Sequence, residues 1–263
     1  MNKLISMLVL MMLSHGFLFA QNTNDYIQEQ YKAADDAAER LDFQTALILY
    51  YELIPLVRVQ DRFQLYLKTS FCHKRLNDFD RALEDIKKVL KVNKAHEQYK
   101  FLRGTGYWQM GGIYVSQAEY KKGIKYLEQA NSYLNSTDLY STIGYYQVVI
   151  EDYKNARGNL EIAISMDSTN AYAYNNLAMV YLNDGDLVRA TSLVEKSLSL
   201  DDMNSYAYKH KALIHIEKKE FDLVCEDLQK SKALGYSDFT NDPNSNEVDQ
   251  LIEKYCSNES NQF

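Results

Sequence analysis

The sequence predicts an all-α fold built from repeated helix pairs, and three observations carry that expectation. First, residues 171–204 align without gaps on residues 137–170, so that Tyr174 falls on Tyr140, Ala178 on Gly144 and Ala190 on Ala156. Both blocks are 34 residues long. Second, the frame extends to six units beginning near Ile27, Phe63, Glu97, Thr137, Ala171 and Ser205, with a small residue at one fixed place in all six and at a second in all but the last, which has Val224. Third, only Pro55 and Pro243 interrupt the chain with a residue that breaks helices. Apolar residues make up 46% of the sequence and aromatics 13%, which is enough to bury a core.

Each unit reads as two helices. The eighth position is Ala34, Ser70, Gly104, Gly144, Ala178 and Ala212 in turn, and the twentieth is Ala46, Ala82, Gly123, Ala156, Ala190 and Val224. Small side chains at both places let the two backbones of a pair approach closely. The second helix opens on an apolar wedge: Phe43, Phe79, Tyr120, Tyr153, Leu187 or Phe221. Immediately before it stands an acid, Asp42, Asp78, Glu119, Asp152, Asp186 or Glu220, where a carboxylate favours the unpaired amides and the positive end of the helix dipole. The third unit is long, 40 residues from Glu97 to Thr137. Its first helix fits the frame twice, with Gly104/Tyr107 or with Gly111/Tyr114. The two fits differ by about two helical turns, so both present one face inward. A first helix lengthened by two turns is expected there, with a bend or break near Gly111 and Gly112.

The period and pattern resemble the tetratricopeptide repeat, and residues 171–204 match it best through Tyr174, Leu177, Ala178, Tyr181, Gly185 and Ala190. The resemblance covers roughly residues 27–236. It implies a right-handed superhelical solenoid of antiparallel helix pairs over residues 21–236, with units near 27–62, 63–96, 97–136, 137–170, 171–204 and 205–236. A cap and tail would occupy residues 237–263, where Val248, Leu251, Ile252 and Tyr255 share a helical face. The sequence departs from the family pattern in lacking the proline that often ends such repeats. The glycine before the second helix survives only as Gly185.

The amino terminus has Lys3, an apolar run from Leu4 to Leu13, and Ala20 before Gln21, the pattern of a secretory signal peptide over residues 1–20. The mature protein is expected to be exported to a bacterial periplasm or the cell exterior, with no stable membrane span once the signal is cleaved. An uncleaved anchor over Leu4–Ala20 is the alternative. In a eukaryotic secretory lumen, Asn135 and Asn258 would be glycosylation acceptors. The net charge of −7, with no basic run longer than two residues, argues against nucleic acid as a partner.

Chemistry is hard to find. The glycine-rich "RGTGYWQMGG" (103–112) lacks the third glycine of a dinucleotide loop, a following Lys-Ser/Thr and a preceding strand pattern. Beyond the signal the histidines are His73, His96, His210 and His215, none spaced as a helical zinc pair. His73 and His215 fall on the eleventh repeat position, which packs inward. Cys72 and His73 are neighbours on one helix and point about 100° apart, so they do not form a couple. No nucleophile elbow occurs. The expectation is a non-enzyme with no cofactor and no metal. In an oxidising compartment Cys225 and Cys256 are candidates for a disulfide, the alternative being three small core thiols.

What the resemblance implies about function is a scaffold that holds a protein or peptide in a groove lined by the first helices. A clamp for acidic chaperone tails is not expected, because no unit carries Lys and Asn at its fifth and ninth positions. The ninth and twelfth positions of the last three units are Tyr145 and Val148, Met179 and Leu182, Leu213 and Ile216, which suggests an apolar partner-binding face there. The equivalent Asp35/Ala38 and Phe71/Lys74 suggest a wetter end. A self-associating or envelope-complex subunit without a peptide ligand is the alternative; the sequence leaves the oligomeric state open.

Overall fold

The computed structural model describes residues 24–236 and 246–256; the signal segment 1–20 and Asn258 lie outside them. The described residues contain helices and no strand. Helix α1 covers residues 24–39. It is followed by α2 (Phe43–Leu53), α3 (Arg62–Arg75), α4 (Phe79–Val89), α5 (Tyr99–Ser116), α6 (Tyr120–Leu134) and α7 (Thr137–Val149). Then come α8 (Tyr153–Met166), α9 (Ala171–Asn183), α10 (Leu187–Leu200), α11 (Ser205–Lys218), α12 (Phe221–Ala233) and α13 (Glu247–Cys256). Within the units the helices pair as the period demands, α3 with α4, α7 with α8, α9 with α10 and α11 with α12, and α1 and α2 share one core. Two compact units are distinguished, one up to Ile113 and one from Tyr114. Within the second, α9 packs on α7, α8, α10 and α11.

One turn closes all six pairs. The residue before the acid has positive φ in every case: Leu41, Asn77, Ala118, Glu151, Gly185 and Lys219 lie between 59° and 78°. This left-handed residue lets the acid's backbone N–H reach back to the carbonyl five residues earlier, at 2.8–2.9 Å, as Asp42 does to Ala37 and Glu220 to His215. The left-handed residue's own N–H bonds the carbonyl three residues back, as Gly185 does to Leu182 at 3.0 Å. Together these are the two bonds of a Schellman closure. The acid then starts the next helix. Asp42, Asp78, Asp152 and Asp186 accept from the N–H three residues on, at 3.2, 3.3, 3.4 and 3.0 Å. Glu119 and Glu220 make no such side-chain bond, which corrects the expectation for those two. Their extra methylene carries the carboxylate past the amide, to Lys122 at 3.1 Å and to His215 at 2.6 Å.

The small positions are buried throughout. Ala34, Ser70, Ala46, Ala82, Ala156, Ala190, Ala212 and Val224 have no exposed surface. At Gly144 the fit is tightest, since a Cβ there would lie 2.6 Å from Leu160 Cγ. One repeat later the same pair is Ala178 and Val194, a methyl added on one side and a methylene removed on the other. Helix α5, at 18 residues, is the longest described and carries both Gly104 and Gly111 buried. It runs without the expected break, which is a correction. Gly111 stands eight residues before Glu119, the same spacing as Ala178 to Asp186, and so keeps the register of the closing turn. Gly106 meets Leu90 across a gap that would put a Cβ at 3.2 Å. Close packing against α4 offsets the low helix propensity of glycine. The division between the compact units nonetheless falls within α5, just after the Gly111–Gly112 pair.

Helix α13 covers the last pair as expected. Val248 is buried with Ala212, Val224, Leu228 and Tyr236, and Leu251, Ile252 and Tyr255 pack against them. Glu247 accepts from the buried Lys209 at 2.6 Å, and Asp249 pairs with Lys232 at 2.8 Å. Cys225 on α12 and Cys256 at the end of α13 are joined, their Cα atoms 5.6 Å apart. Cys72 is a buried free thiol.

Three outcomes follow from this packing. Leu41→Gly and Glu151→Gly should each raise stability by about 1 kcal/mol, and Gly185→Ala, which has open space around it, should lower it by a similar amount; urea denaturation measures all three. Gly144→Ala should be destabilising, because overpacking of about 1 to 3 kcal/mol outweighs a helix-propensity gain of about 1 kcal/mol, and Leu160→Val in the same chain should recover most of the loss. Non-reduced peptide mapping should recover Cys225 linked to Cys256. Reduction should cost roughly 3 to 4 kcal/mol, the value expected for a loop of 31 residues.

Candidate binding surfaces on the first helices

In the carboxyl-terminal unit the six residues predicted to face a partner are all half-buried, but they divide into two kinds. Val148, Leu182 and Ile216, at the twelfth position, pack against the cores between helix pairs. They hold neighbouring pairs together and contribute less to an open face. Tyr145, Met179 and Leu213, at the ninth position, are partly exposed. Tyr145 meets Tyr146 at 4.9 Å and, across α9, Tyr206 at 6.4 Å between ring centroids. Tyr206 in turn meets Tyr236 at 4.8 Å. This edge-to-face row was not foreseen, because Tyr145 and Tyr206 are two units apart in sequence and only the stacking of α7, α9 and α11 brings them together.

The fifth position of these helices is polar and closed. Asn175 is fully buried and its Oδ1 accepts from His210 Nδ1 at 2.7 Å. Burial, with Lys209 beside it, holds His210 well below the ordinary histidine pKa, so it is neutral. Lys209 spends its ammonium on Glu247 and on the Tyr236 hydroxyl at 3.1 Å.

In the amino-terminal unit α1, α3 and α5 enclose an open cavity of about 370 Å3. Leu67, Phe71 and Phe101 form its apolar surface, while Asp35, Glu39, Gln64, Lys68 and Gln109 supply polar groups. Phe71 is 45% exposed and Phe101 51%. The double fit of the third unit held the signal for this face: Phe101 lies on the added start of α5, four to five residues longer than α3, α7, α9 and α11. Asp35 is occupied, accepting from the Tyr50 hydroxyl and from Lys68 Nζ at 2.8 Å. Burial and that carboxylate push the Tyr31 phenol up to about 12. Burial likewise lifts the Cys72 thiol to about 11, so it is inert at neutral pH.

The eleventh-position histidines are core residues with acidic partners from the second helix. The Tyr51 hydroxyl donates to Asp85 at 3.1 Å and lies 2.9 Å from His73 Nε2, while Thr69 and Lys88 donate to the same carboxylate. His215 lies 3.4 Å from Asp227, which Lys211 also contacts at 2.9 Å. The same two positions pair Gln147 with Asn159 at 2.8 Å and stack Tyr114 on Tyr126 at 5.3 Å. Cys72 takes no part in the His73 network. Among the described residues no group of three metal-ligating side chains converges, and no helix is long and apolar enough to cross a membrane.

The family profile of the tetratricopeptide repeat matches residues 160–191, the end of α8, all of α9 and the start of α10. The chain is 27% identical over 118 residues to human tetratricopeptide repeat protein 6, a match covering 45% of this chain and 22% of the relative. It is also 27% identical over 115 residues to TPR repeat-containing protein MJ1428 of Methanocaldococcus jannaschii, covering 44% and 19%. It thus matches only about a fifth of the length of these relatives. Among solved structures, MamA from Desulfovibrio magneticus RS-1 superposes with a TM-score of 0.55 at 21% identity, covering 68% of this chain and 98% of that one. YrrB, described as a TPR protein with an unusual peptide-binding site, superposes with a TM-score of 0.54 at 20% identity, covering 76% and 97%. These likenesses establish the tetratricopeptide-repeat fold, and the profile match places a repeat of that family at residues 160–191.

Proposed function

We propose that the protein is a non-catalytic scaffold that holds a protein or peptide partner against its first helices, and that it works outside the cytoplasm after loss of residues 1–20. The observation that carries the reading is the open cavity on α1, α3 and α5, where Phe71 and Phe101 stand exposed on the face that the fold turns to ligands. The peptide-binding site named for YrrB supports it, as do the partly exposed Tyr145, Met179 and Leu213 farther along. The Cys225–Cys256 pairing supports an oxidising compartment. A second reading, a self-associating subunit, draws on Leu41, Ile48 and Val59, which are exposed by 60% or more in the first helix pair and the segment after it. Sedimentation separates the two: a stable oligomer formed alone favours self-association, and a monomer that binds another protein favours the scaffold.

Affinity capture from the envelope fraction with the full chain tests the scaffold directly. Met179→Glu should weaken a captured partner by about 1 to 2 kcal/mol while leaving the thermal midpoint nearly unchanged. Val148→Glu should instead lower the midpoint strongly, because that side chain packs on the core. A Met179→Glu variant that unfolds would return that residue to the core.

A further inference from the structure

In the cavity on α1, α3 and α5 the side-chain nitrogens already have acceptors, while several oxygens lack donors. Lys68 Nζ donates to Asp35 Oδ1 at 2.8 Å and lies 5.3 Å from the Tyr31 ring centroid and 5.7 Å from that of Tyr50. The Tyr50 hydroxyl donates to the same oxygen. Gln64 Nε2 donates to Gln98 Oε1 at 2.6 Å, and Gln109 Nε2 donates to the Leu67 carbonyl at 3.1 Å. What remains accepts. Asp35 Oδ2 receives no hydrogen bond from the described residues, and 37% of this side chain is exposed. Glu39 stands one helical turn farther along the same face of α1, exposed and without an ion pair among the described residues. Gln109 Oε1 is buried without a donor. Two carboxylates thus share one ammonium among the residues that line the cavity.

Apolar surface stands beside these acceptors. Phe71 on α3 and Phe101 on α5 keep about half their surface exposed in the same cavity. Its volume of about 370 Å3 lies within the range of ligand sites, roughly 300 to 1,000 Å3. A cation entering it meets an excess of negative charge, whereas an anion meets repulsion. Of the two cationic side chains, arginine suits the site better. Its planar fork donates to more than one oxygen at once, and its flat face lies on an aromatic ring without giving up those bonds. Lysine would meet the carboxylates as a point charge. In an extended peptide, side chains two residues apart project to one side at about 7 Å, so an apolar neighbour reaches the phenylalanines while the arginine reaches α1. We propose that the cavity takes an arginine side chain from an extended segment of a partner protein. Its guanidinium lies on Asp35 Oδ2 and Glu39, and an apolar residue two places away covers Phe71 and Phe101. This rests on the scaffold reading and specifies its ligand.

Titration calorimetry of the full chain, with peptides carried into the millimolar range, tests the site. The probes are acetylated and amidated octapeptides centred on Phe-Ser-Arg, Phe-Ser-citrulline and Ala-Ser-Arg, flanked by Gly and Ser. Citrulline keeps the shape of arginine and removes its charge. The Phe-Ser-Arg peptide should bind best, and either replacement should weaken it about tenfold. Glu39→Gln should cut the preference for arginine over citrulline to about threefold or less without lowering the thermal midpoint, since Glu39 has no partner in the fold. Glu29→Gln removes an exposed carboxylate from the same helix, away from the cavity, and should leave the preference unchanged. Phe101→Ala should narrow the gap between Phe-Ser-Arg and Ala-Ser-Arg. Failure of Phe-Ser-Arg to bind the wild-type chain overturns the inference, as does equal binding of the arginine and citrulline peptides. It is also overturned if the preference survives Glu39→Gln or falls equally with Glu29→Gln. A protein partner captured by the full chain despite any of those failures leaves the scaffold reading standing; no partner in that capture removes the scaffold reading itself.

Discussion

The fold depends on one residue pair that closes a helix and opens the next. At each hairpin a left-handed residue turns the chain, and the acid after it gives its N–H to the finished helix. Its position at the start of the next helix also sets where the apolar wedge and the small twentieth residue land. The repeat length is therefore governed by a turn of fixed geometry, and everything packed between turns must fit that spacing. Five of the six left-handed residues carry a side chain, at a conformational cost of roughly 1 kcal/mol or more each. The hairpins tolerate it because both closing bonds and the buried pair of helices over-determine the turn.

Within that frame the units vary by compensation. The eighth residue and its partner on the second helix exchange volume, as Gly144 with Leu160 and Ala178 with Val194 show. The eleventh residue and its partner exchange chemistry. His73 reaches Asp85 through the Tyr51 hydroxyl, Tyr114 stacks on Tyr126, and Gln147 accepts from the Asn159 amide, so one contact is met by a shared hydroxyl, by stacking or by an amide bond. Each buried polar group at this contact therefore needs the residue twelve positions later to be suitable. This is why the histidines read as structural residues and why Cys72, pointing elsewhere, gains no reactivity from His73.

The two ends of the chain use the first-helix face differently. Beyond Tyr114, polar residues at the fifth position are consumed internally, with Asn175 on His210 and Lys209 on the capping helix. Tyrosines bridge alternate helices there, Tyr145 of α7 reaching Tyr206 of α11. Before Ile113, the face stays open where α5, four to five residues longer than α3, α7, α9 and α11, brings Phe101 to the cavity with Phe71 and Leu67. Gly112, on the same helix, leaves room for the end of the Lys74 side chain.

The helix pairs, their order, the lengthened α5 and the capping face of α13 were determined by sequence alone, because a 34-residue period of small, apolar and acidic positions leaves one way to bury each helix stripe. The positions of the caps were legible too, but a sequence of acids does not say whether a carboxylate reaches an amide. One methylene separates the aspartates that cap from Glu119 and Glu220, which do not. The unbroken course of α5 was also beyond sequence reading, since glycine's weak helix propensity is outweighed only by contacts such as Gly106 against Leu90. Only tertiary structure decided which apolar residues of the first helices join the cores. Val148, Leu182 and Ile216 share the sequence signature of Tyr145, Met179 and Leu213 and are half-buried like them, and it is the neighbouring helix pair, absent from any local pattern, that draws the former into the core clusters.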